Sequence, residues 1–181
     1  MNIVFLMIAR VLYDKGYQEY VDAAKIIKQK YAGIEFQLLG SIDPVYPNCV
    51  PKTIVEKDSH EGYIKYLGET KNVQPFIQTA DCIVLPSYHE GLSRVLIESL
   101  AMGKPIITTD IPGCRETVEC GKNGYLVPPR NSHALADAIL KFVNLSSEER
   151  KQMGLYGRMK AEKEFDVKNV IAVYKQITHG I

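Results

Sequence analysis

Short apolar segments alternate with helical segments along most of this chain, and this alternation restricts the fold more than any other feature. The segments predicted to form strands are Ile3–Ile8, Glu35–Leu39, Tyr63–Leu67, Cys82–Leu85, Ile106–Thr108 and Tyr125–Val127. Apolar runs separated by helices are typical of a parallel sheet that is covered on both faces. We therefore expect an α/β fold: a Rossmann-like, doubly wound parallel sheet of about six strands, with helices on both faces and a helical C-terminus.

The helices are predicted from apolar residues at helical spacing and from capping residues. The first of them, Gly16–Tyr31, carries its apolar residues on one face. The other helical segments are Asp58–Gly62, Val73–Thr79, Arg94–Met102, a helix from Ser132 to about Val143, a helix capped by Ser146 or Ser147, and Val167 to about Ile177. No repeat or linker interrupts this pattern, so residues 1–181 are expected to form one domain.

The composition argues against several classes of protein. Hydrophobic residues make up 46% of the chain and charged residues 24%, and the formal net charge is +1. This balance gives no electrostatic reason to expect binding to nucleic acid. The apolar start, Met1–Ala9, is too short to span a membrane and lacks the basic residues of a secretory signal. The four cysteines lack C-x-x-C spacing and are expected to be reduced thiols of a cytoplasmic protein without a bound metal.

The most informative segment reads Glu90-Gly91-Leu92-Ser93-Arg94-Val95-Leu96-Ile97-Glu98. Glu90 follows a predicted strand, and Glu98 lies about one turn inside a helix that is apolar almost all round. One interpretation is an Arg94–Glu98 ion pair, with Glu90 as a solvated loop charge. The other is that both carboxylates face a polyhydroxylated ligand at the mouth of an open α/β sheet. The segment by itself leaves both interpretations open.

Further motifs stand in order around this segment. They are Ala80-Asp81, Pro86-Ser87, Ala101-Met102-Gly103-Lys104-Pro105, Pro112-Gly113-Cys114-Arg115-Glu116 and Gly121 to Pro129. Together with Glu90 and Glu98, the series resembles the C-terminal, donor-binding half of the retaining GT-B-fold glycosyltransferases of family four, also called group 1. The resemblance runs from about Ile3 to Lys175. It implies an enzyme built from two facing Rossmann-like domains.

The resemblance implies a role for each residue that matches the family's motifs. Glu90 is similar to the residue that contacts the donor sugar, and Glu98 to the residue that holds the ribose hydroxyls. Arg10 and Lys15 match the basic pair that clamps the donor diphosphate, and with Glu90 they are the expected catalytic residues. The turn whose backbone N–H groups face the sugar and the phosphates consists of Gly91, Leu92 and Ser93.

Elementary chemistry agrees with these roles. A departing nucleoside diphosphate gains negative charge, which cations and a helix N-terminus stabilise. A carboxylate can accept both hydroxyl protons of a ribose diol. Taken alone, Arg10 and Lys15 would be interpreted as part of a solvated loop, but the Glu90–Glu98 motif favours the diphosphate clamp. Because this basic pair can supply the positive charge, no metal is expected in the site.

Three positions depart from the family's pattern. Ala9 stands where glycine often precedes the arginine, the turn after the second strand is reduced to Gly40-Ser41-Ile42-Asp43, and Ser93 stands where glycine is frequent. The first two are expected to alter how the loops close over the nucleotide. Ser93 can cap the following helix and still leave backbone N–H groups available.

Structural roles are predicted for three further side chains in and beside the motifs. Tyr88 is expected either to shape the pocket wall or to pack on Pro86. Arg115 and Glu116 are expected to brace the loop after the fifth strand.

The expected function is the donor-binding half of a glycosyltransferase. The full-length enzyme would move a hexose or an N-acetylhexosamine from a nucleotide diphosphate sugar, expected to be UDP-linked, to a glycan or a lipid-linked acceptor. No cofactor is expected. Because no acceptor half precedes the first strand, the N-terminal acceptor-binding domain is expected to be missing from this chain, which alone would be inactive. Peripheral association of the full-length protein with the inner face of the cytoplasmic membrane is left open.

Two other classes remain as alternatives. The first is a non-catalytic module that binds a nucleotide sugar for sensing or for regulating a partner. The second is an unrelated Rossmann-like nucleotide-binding domain. The segment after the first strand, Ala9–Gly16, lacks the G-x-G-x-x-G pattern of dinucleotide-binding domains, which argues against the second.

Overall fold

The computed structural model describes residues 3–166, and its centre is a six-stranded sheet with the strand order β3-β2-β1-β4-β5-β6. The strands are β1 (Ile3–Ile8), β2 (Ile34–Leu39), β3 (Lys65–Tyr66), β4 (Cys82–Leu85), β5 (Ile106–Thr109) and β6 (Gly124–Val127). Every pair of neighbouring strands is parallel. The predicted Rossmann-like α/β fold is confirmed, with the strand order of doubly wound sheets.

Helices cover both faces of this sheet. Within residues 3–166 they are α1 (Tyr17–Lys28), α2 (Lys52–His60), α3 (Gln74–Thr79), α4 (Arg94–Ala101), α5 (Ser132–Val143) and α6 (Ser147–Glu164). None of these helices is both long enough and apolar enough to cross a membrane. The described part of the chain ends in the consecutive helices α5 and α6, as predicted.

Alternate side chains of each strand separate the core into two layers. In β1, Phe5 and Met7 belong to one layer and Leu6 and Ile8 to the other, because successive side chains of a strand point to opposite faces. Helices α1 and α5 cover the first layer, and α3, α4 and the end of α6 cover the second. Both layers are apolar, which explains why the strands appear in the sequence as apolar runs.

The bounds of two predicted elements are wrong. A helical turn was expected over Asp58–Gly62, but α2 already begins at Lys52. Of its nine residues only Val55 and Asp58 are buried, so little apolar periodicity marks the helix in the sequence. The predicted strand Tyr63–Leu67 is reduced to the two residues of β3, which pairs with β2 and lies at the edge of the sheet formed by residues 3–166.

The predicted helix caps are right to within one residue. The cap of α5 is Asn131 rather than Ser132, since the Asn131 side chain accepts a hydrogen bond from the backbone N–H of Ala134 at 2.9 Å. Ser146 caps α6 in a reciprocal pair of hydrogen bonds with Glu149. Asn and Ser are equally good caps, so residue type could not separate adjacent candidates. The last predicted helix, Val167–Ile177, lies outside the described residues.

The strand order reverses between β1 and β4, because β2 and β3 lie on one side of β1 whereas β5 and β6 lie on the other side of β4. Strands β1 and β4 are neighbours, with Phe5 opposite Cys82, although β2 and β3 intervene in the sequence. The helix that follows β1 covers one face, and the helix that follows β4 covers the other. The loops at the carboxyl ends of β1 and β4 therefore diverge, and a crevice opens between them. Most of the predicted site residues lie on these two loops.

Candidate functional site

A cleft with a volume of about 290 Å³ lies at the carboxyl ends of β1 and β4. Its wall consists of Ile8, Ala9, Arg10, Lys15, Leu85, Glu90, Leu92, Ser93, Arg94 and Val95. The cleft thus brings together most of the predicted site residues, namely Arg10, Lys15, Glu90, Leu92 and Ser93. It occupies the position at which open α/β sheets bind their ligands.

Lys15 and Glu90 form an ion pair inside this cleft. The Lys15 Nζ atom lies 2.9 Å from Glu90 Oε1, and the two side chains are only 18% and 16% exposed. The same ammonium donates a hydrogen bond to the backbone carbonyl oxygen of His89 at 3.1 Å. Glu90 is therefore not a solvated loop charge, which contradicts one of the two interpretations of the sequence motif.

Gly16 allows the loop that carries Lys15 to approach the loop after β4. Its φ angle is +83°, and a Cβ atom at this position would lie 2.1 Å from the carbonyl oxygen of Pro86. The backbone N–H of Tyr88 then donates to the carbonyl oxygen of Asp14 at 2.8 Å. A residue with a side chain could not make this approach, so glycine directly after Lys15 is a condition for the ion pair.

Arg10 is exposed and lies where the first cleft meets a second one. Its guanidinium carbon is 4.2 Å from the centre of the Tyr46 ring, at the distance of a cation–π contact. The second cleft has a volume of about 220 Å³ and shares Arg10 with the first. Its other side includes Gly40, Ser41, Glu69 and Thr70. Arg10 can therefore contact a ligand that extends from one cleft into the other.

The turn before α4 is held by the loop after β5, which changes the expected role of Ser93. The backbone N–H of Ser93 donates to the carbonyl oxygen of Gly113 at 3.1 Å. It is thus occupied within the protein, and the Ser93 side chain makes no capping hydrogen bond. Ser93 occupies the N-cap position of α4, as expected, but the expected capping by its side chain is not observed. The N–H groups in the first turn of α4 remain for an anion, because they have no partner inside the helix.

Gly113 makes this contact possible, and Glu116 holds it in place. The φ angle of Gly113 is +85°, and a Cβ atom there would lie 1.5 Å from the carbonyl oxygen of Gly91. The Glu116 carboxylate accepts a hydrogen bond from the Gly113 N–H at 2.8 Å. Arg115 donates to the Asp110 carboxylate, also at 2.8 Å. The prediction that Arg115 and Glu116 brace this loop is confirmed.

Glu98 lies outside the wall of the first cleft. It is on the exposed side of α4, and its Oε1 atom is 3.9 Å from an Arg94 guanidinium nitrogen. Their side chains are 46% and 90% exposed, so this pair contributes little to stability. For Glu98, the structure shows the i,i+4 pair of the first interpretation. Its predicted contact with ribose stays a prediction.

Tyr88 has partners that neither prediction included. Its hydroxyl group donates to Glu19 Oε1 at 2.6 Å, across 69 positions of sequence. The guanidinium carbon of Arg130 lies 4.8 Å from the centre of the Tyr88 ring. Both partners were missed because no local pattern connects a helix residue, a loop residue and a residue after the last strand.

A larger cavity, of about 450 Å³, lies between β6 and α6. Tyr125, Met153, Leu155, Tyr156 and Met159 give it an apolar wall. Its one lysine, Lys122, is paired with Glu119 at 3.0 Å. An anion such as a diphosphate needs several cations or N–H donors, so the smaller cleft with Arg10 and Lys15 is the better site for one. Among residues 3–166, no group of three or more His, Cys, Asp or Glu side chains could hold a metal ion.

A parallel sheet with two basic residues and a carboxylate at the switch between β1 and β4 defines a Rossmann-like domain suited to a phosphorylated ligand. The sequence model of the family described as "Glycosyl transferases group 1" matches residues 1–160. The chain therefore belongs to the group 1 glycosyltransferases.

A curated relative and two solved structures illustrate this similarity. The chain is 32% identical over 136 residues to the N,N'-diacetylbacillosaminyl-diphospho-undecaprenol alpha-1,3-N-acetylgalactosaminyltransferase of Campylobacter jejuni, covering 75% of this chain and 34% of that protein. Anabaena Alr3699/HepE in complex with UDP superposes with a TM-score of 0.87 at 22% identity, covering 99% of this chain and 49% of that one. The C-terminal domain of the group 1 family protein LpcC from Francisella tularensis superposes with a TM-score of 0.78 at 20% identity, covering 90% and 86%. The chain thus spans about a third of the curated relative and about half of the Anabaena protein.

Proposed function

We propose that this chain is the nucleotide-sugar-binding half of a retaining glycosyltransferase. The complete enzyme moves a hexose or an N-acetylhexosamine from a UDP-linked sugar to a glycan or a lipid-linked acceptor. The observation that carries the proposal is the convergence of Arg10, Lys15 and Glu90 in one cleft at the switch point of the sheet. This cleft combines two cations for a diphosphate with one carboxylate for a polyhydroxylated sugar.

The cations and the helix N-terminus suit a leaving diphosphate. As the glycosidic bond breaks, negative charge grows on the diphosphate, and donors aimed at it stabilise the transition state more than the ground state. Lys15 has three N–H donors, of which His89 and Glu90 take two. The third donor can reach a phosphate oxygen while the ion pair persists. The proposal includes no metal, because Arg10, Lys15 and the first turn of α4 supply the positive potential.

Glu90 and Glu98 contact different parts of the nucleotide-sugar donor. Glu90 lies deep in the cleft beside Lys15, where its second oxygen can accept hydroxyl protons from the sugar. Glu98 is placed on α4, about one turn further, where the nucleoside would lie. Its exposed pair with Arg94 is weak enough to yield to a ribose diol.

The relatives support the kind of donor and the division into halves. The Anabaena protein was solved in complex with UDP and with UDP-glucose. The Francisella protein that this chain covers to 86% is a C-terminal domain. The Campylobacter relative is named for transfer to an undecaprenol-linked sugar, which supports a lipid-linked acceptor and contact of the full-length protein with a membrane. The acceptor would be bound by the part of the relatives that this chain does not match.

The proposal is tested by calorimetric titration of the purified chain with UDP, GDP, ADP, UDP-glucose and UDP-N-acetylglucosamine. We expect weak binding of UDP and of at least one UDP-sugar, unchanged when EDTA is added. Absence of binding to every member of the panel would contradict the proposal. Binding of nucleotide sugars without transfer by the full-length protein would favour the alternative of a non-catalytic nucleotide-sugar-binding module.

A further inference from the structure

Tyr88 lies two residues before Glu90 and is held by three different parts of the fold. Its backbone N–H donates to the carbonyl oxygen of Asp14 at 2.8 Å, in the loop after β1. Its hydroxyl donates to Glu19 on α1 at 2.6 Å. Its ring lies 4.8 Å from the guanidinium carbon of Arg130, which comes just before α5. A residue on a connecting loop rarely has so many fixed partners.

The charges around Tyr88 are arranged to keep its hydroxyl a donor. Burial and the neighbouring Glu19 carboxylate raise the pKa of Tyr88 above its usual value. Glu19 Oε2 and Asp14 Oδ1 are buried and have no hydrogen-bond partner among the described residues. The positive charge next to Tyr88 is that of the Arg130 guanidinium. Loss of the Tyr88 hydroxyl would therefore leave the partly buried Glu19 carboxylate without this hydrogen-bond donor, which costs free energy.

Arg130 reaches Tyr88 from a strained backbone conformation. Its φ angle is +58°, and every other residue with positive φ in the described part of the chain is a glycine. A side chain in this region costs about 1–2 kcal/mol, and such outliers cluster at functional positions. Glycine would satisfy the backbone at this position but would remove the guanidinium from the Tyr88 ring. The presence of arginine thus points to a role for the contact itself.

We propose that Tyr88 is a positioning residue for Glu90, held by Glu19 and Arg130. The segment Tyr88–Glu90 supplies both hydrogen-bond partners of Lys15, the His89 carbonyl and the Glu90 carboxylate. Fixing the ring of Tyr88 fixes where this carboxylate meets the donor sugar. The inference rests on the proposed function, in which Glu90 binds the sugar of a nucleotide sugar.

The variants Tyr88→Phe and Glu19→Gln separate the hydrogen bond from the packing. Phenylalanine keeps the ring under Arg130 but cannot donate, whereas glutamine can still accept through its amide oxygen. In calorimetry, we expect Tyr88→Phe to weaken binding of UDP-glucose about tenfold. We expect a smaller loss for UDP, which lacks the sugar that Glu90 contacts. Glu19→Gln is expected to keep both affinities close to those of the wild type.

Amide hydrogen exchange in the ligand-free chain gives a second readout. Exchange of residues 86–91 is expected to be faster in Tyr88→Phe and unchanged in Glu19→Gln. Arg130→Gly is expected to speed exchange in the same segment without lowering the Tm, because it relieves the left-handed strain. A purely structural role for Arg130 would lower the Tm instead.

The outcomes distinguish this inference from the proposed function. If the wild type binds neither UDP nor UDP-glucose, the proposed function is wrong for these ligands, and hydrogen exchange alone decides the positioning role. Wild-type exchange over residues 86–91 in both Tyr88→Phe and Arg130→Gly would overturn that role. If Tyr88→Phe fails to fold, Arg130→Gly still tests it, because Arg130 is exposed and its replacement removes strain.

Discussion

The Lys15 ammonium and the Glu90 carboxylate lie 2.9 Å apart, although 75 positions separate them in the sequence. Their contact joins the loop after β1 to the loop after β4, at the point where the sheet changes its winding direction. Both side chains are largely shielded from solvent, so each charge depends on the other. A ligand with phosphates and hydroxyl groups would meet a cation and an anion that are already in place.

Removal of either basic residue should weaken nucleotide binding. Charge-assisted hydrogen bonds contribute about 1.5–3 kcal/mol each, so Lys15→Ala and Arg10→Ala are each expected to reduce the affinity for UDP about ten- to one hundredfold. Calorimetry measures the change. Lys52→Ala serves as the control, since Lys52 is 71% exposed on α2 and its ion pair is with Glu56, away from the cleft residues. Unchanged affinity in both test variants would remove these residues from the site.

The two glutamates should respond differently to bare nucleotide and to nucleotide sugar. Glu90→Gln removes the negative charge beside Lys15, so UDP should bind at least as tightly as in the wild type while UDP-glucose loses affinity. Glu98→Gln should weaken both ligands, because the ribose is common to them. The comparison needs the same titrations in both variants. Equal losses of UDP affinity in the two variants would contradict this division of roles.

Replacing Gly113 by alanine should destabilise the protein more than replacing Gly62, which has a similar φ angle but open space around it. A Cβ atom at Gly113 would meet the Gly91 carbonyl oxygen at 1.5 Å, whereas one at Gly62, with φ +78°, would meet nothing within 4 Å. We expect Gly113→Ala to lower the free energy of unfolding by about 2–5 kcal/mol and Gly62→Ala by about 1–2 kcal/mol. Urea unfolding measures both. Similar losses would show that the close approach is unimportant.

The stabilising effect of Glu35 should disappear in acid. The pKa of this carboxyl lies below its usual value, first because Gln37 donates a hydrogen bond to it and second because the Lys65 ammonium is nearby. A carboxyl with a lower pKa in the folded state stabilises the protein above its unfolded pKa of about 4.3 and loses this effect as the pH falls through the folded value. Glu35→Gln should therefore lower the Tm at pH 6, with a smaller difference at pH 3. A difference that grows in acid would contradict the assignment.

Much of the fold could be predicted because it depends on local patterns. The strands β1 and β4 are apolar runs whose bounds agree with the prediction, since they are buried on both faces. Elements with little buried surface, such as α2 and β3, were misplaced because almost no apolar pattern marks them. The motif from Glu90 to Glu98 could likewise be recognised in the sequence, because its residues are close together in the chain.

The class of fold, the family and the residue types available at the site follow from the order of amino acids alone. The tertiary structure determines which of these residues meet. It paired Glu90 with Lys15 and Glu98 with Arg94, occupied the N–H of Ser93 with Gly113, and joined Tyr88 to Glu19. Most of these contacts cross between loops far apart in sequence. They depend on strand order and on close backbone approaches, which arise from packing the whole sheet and have no local signature.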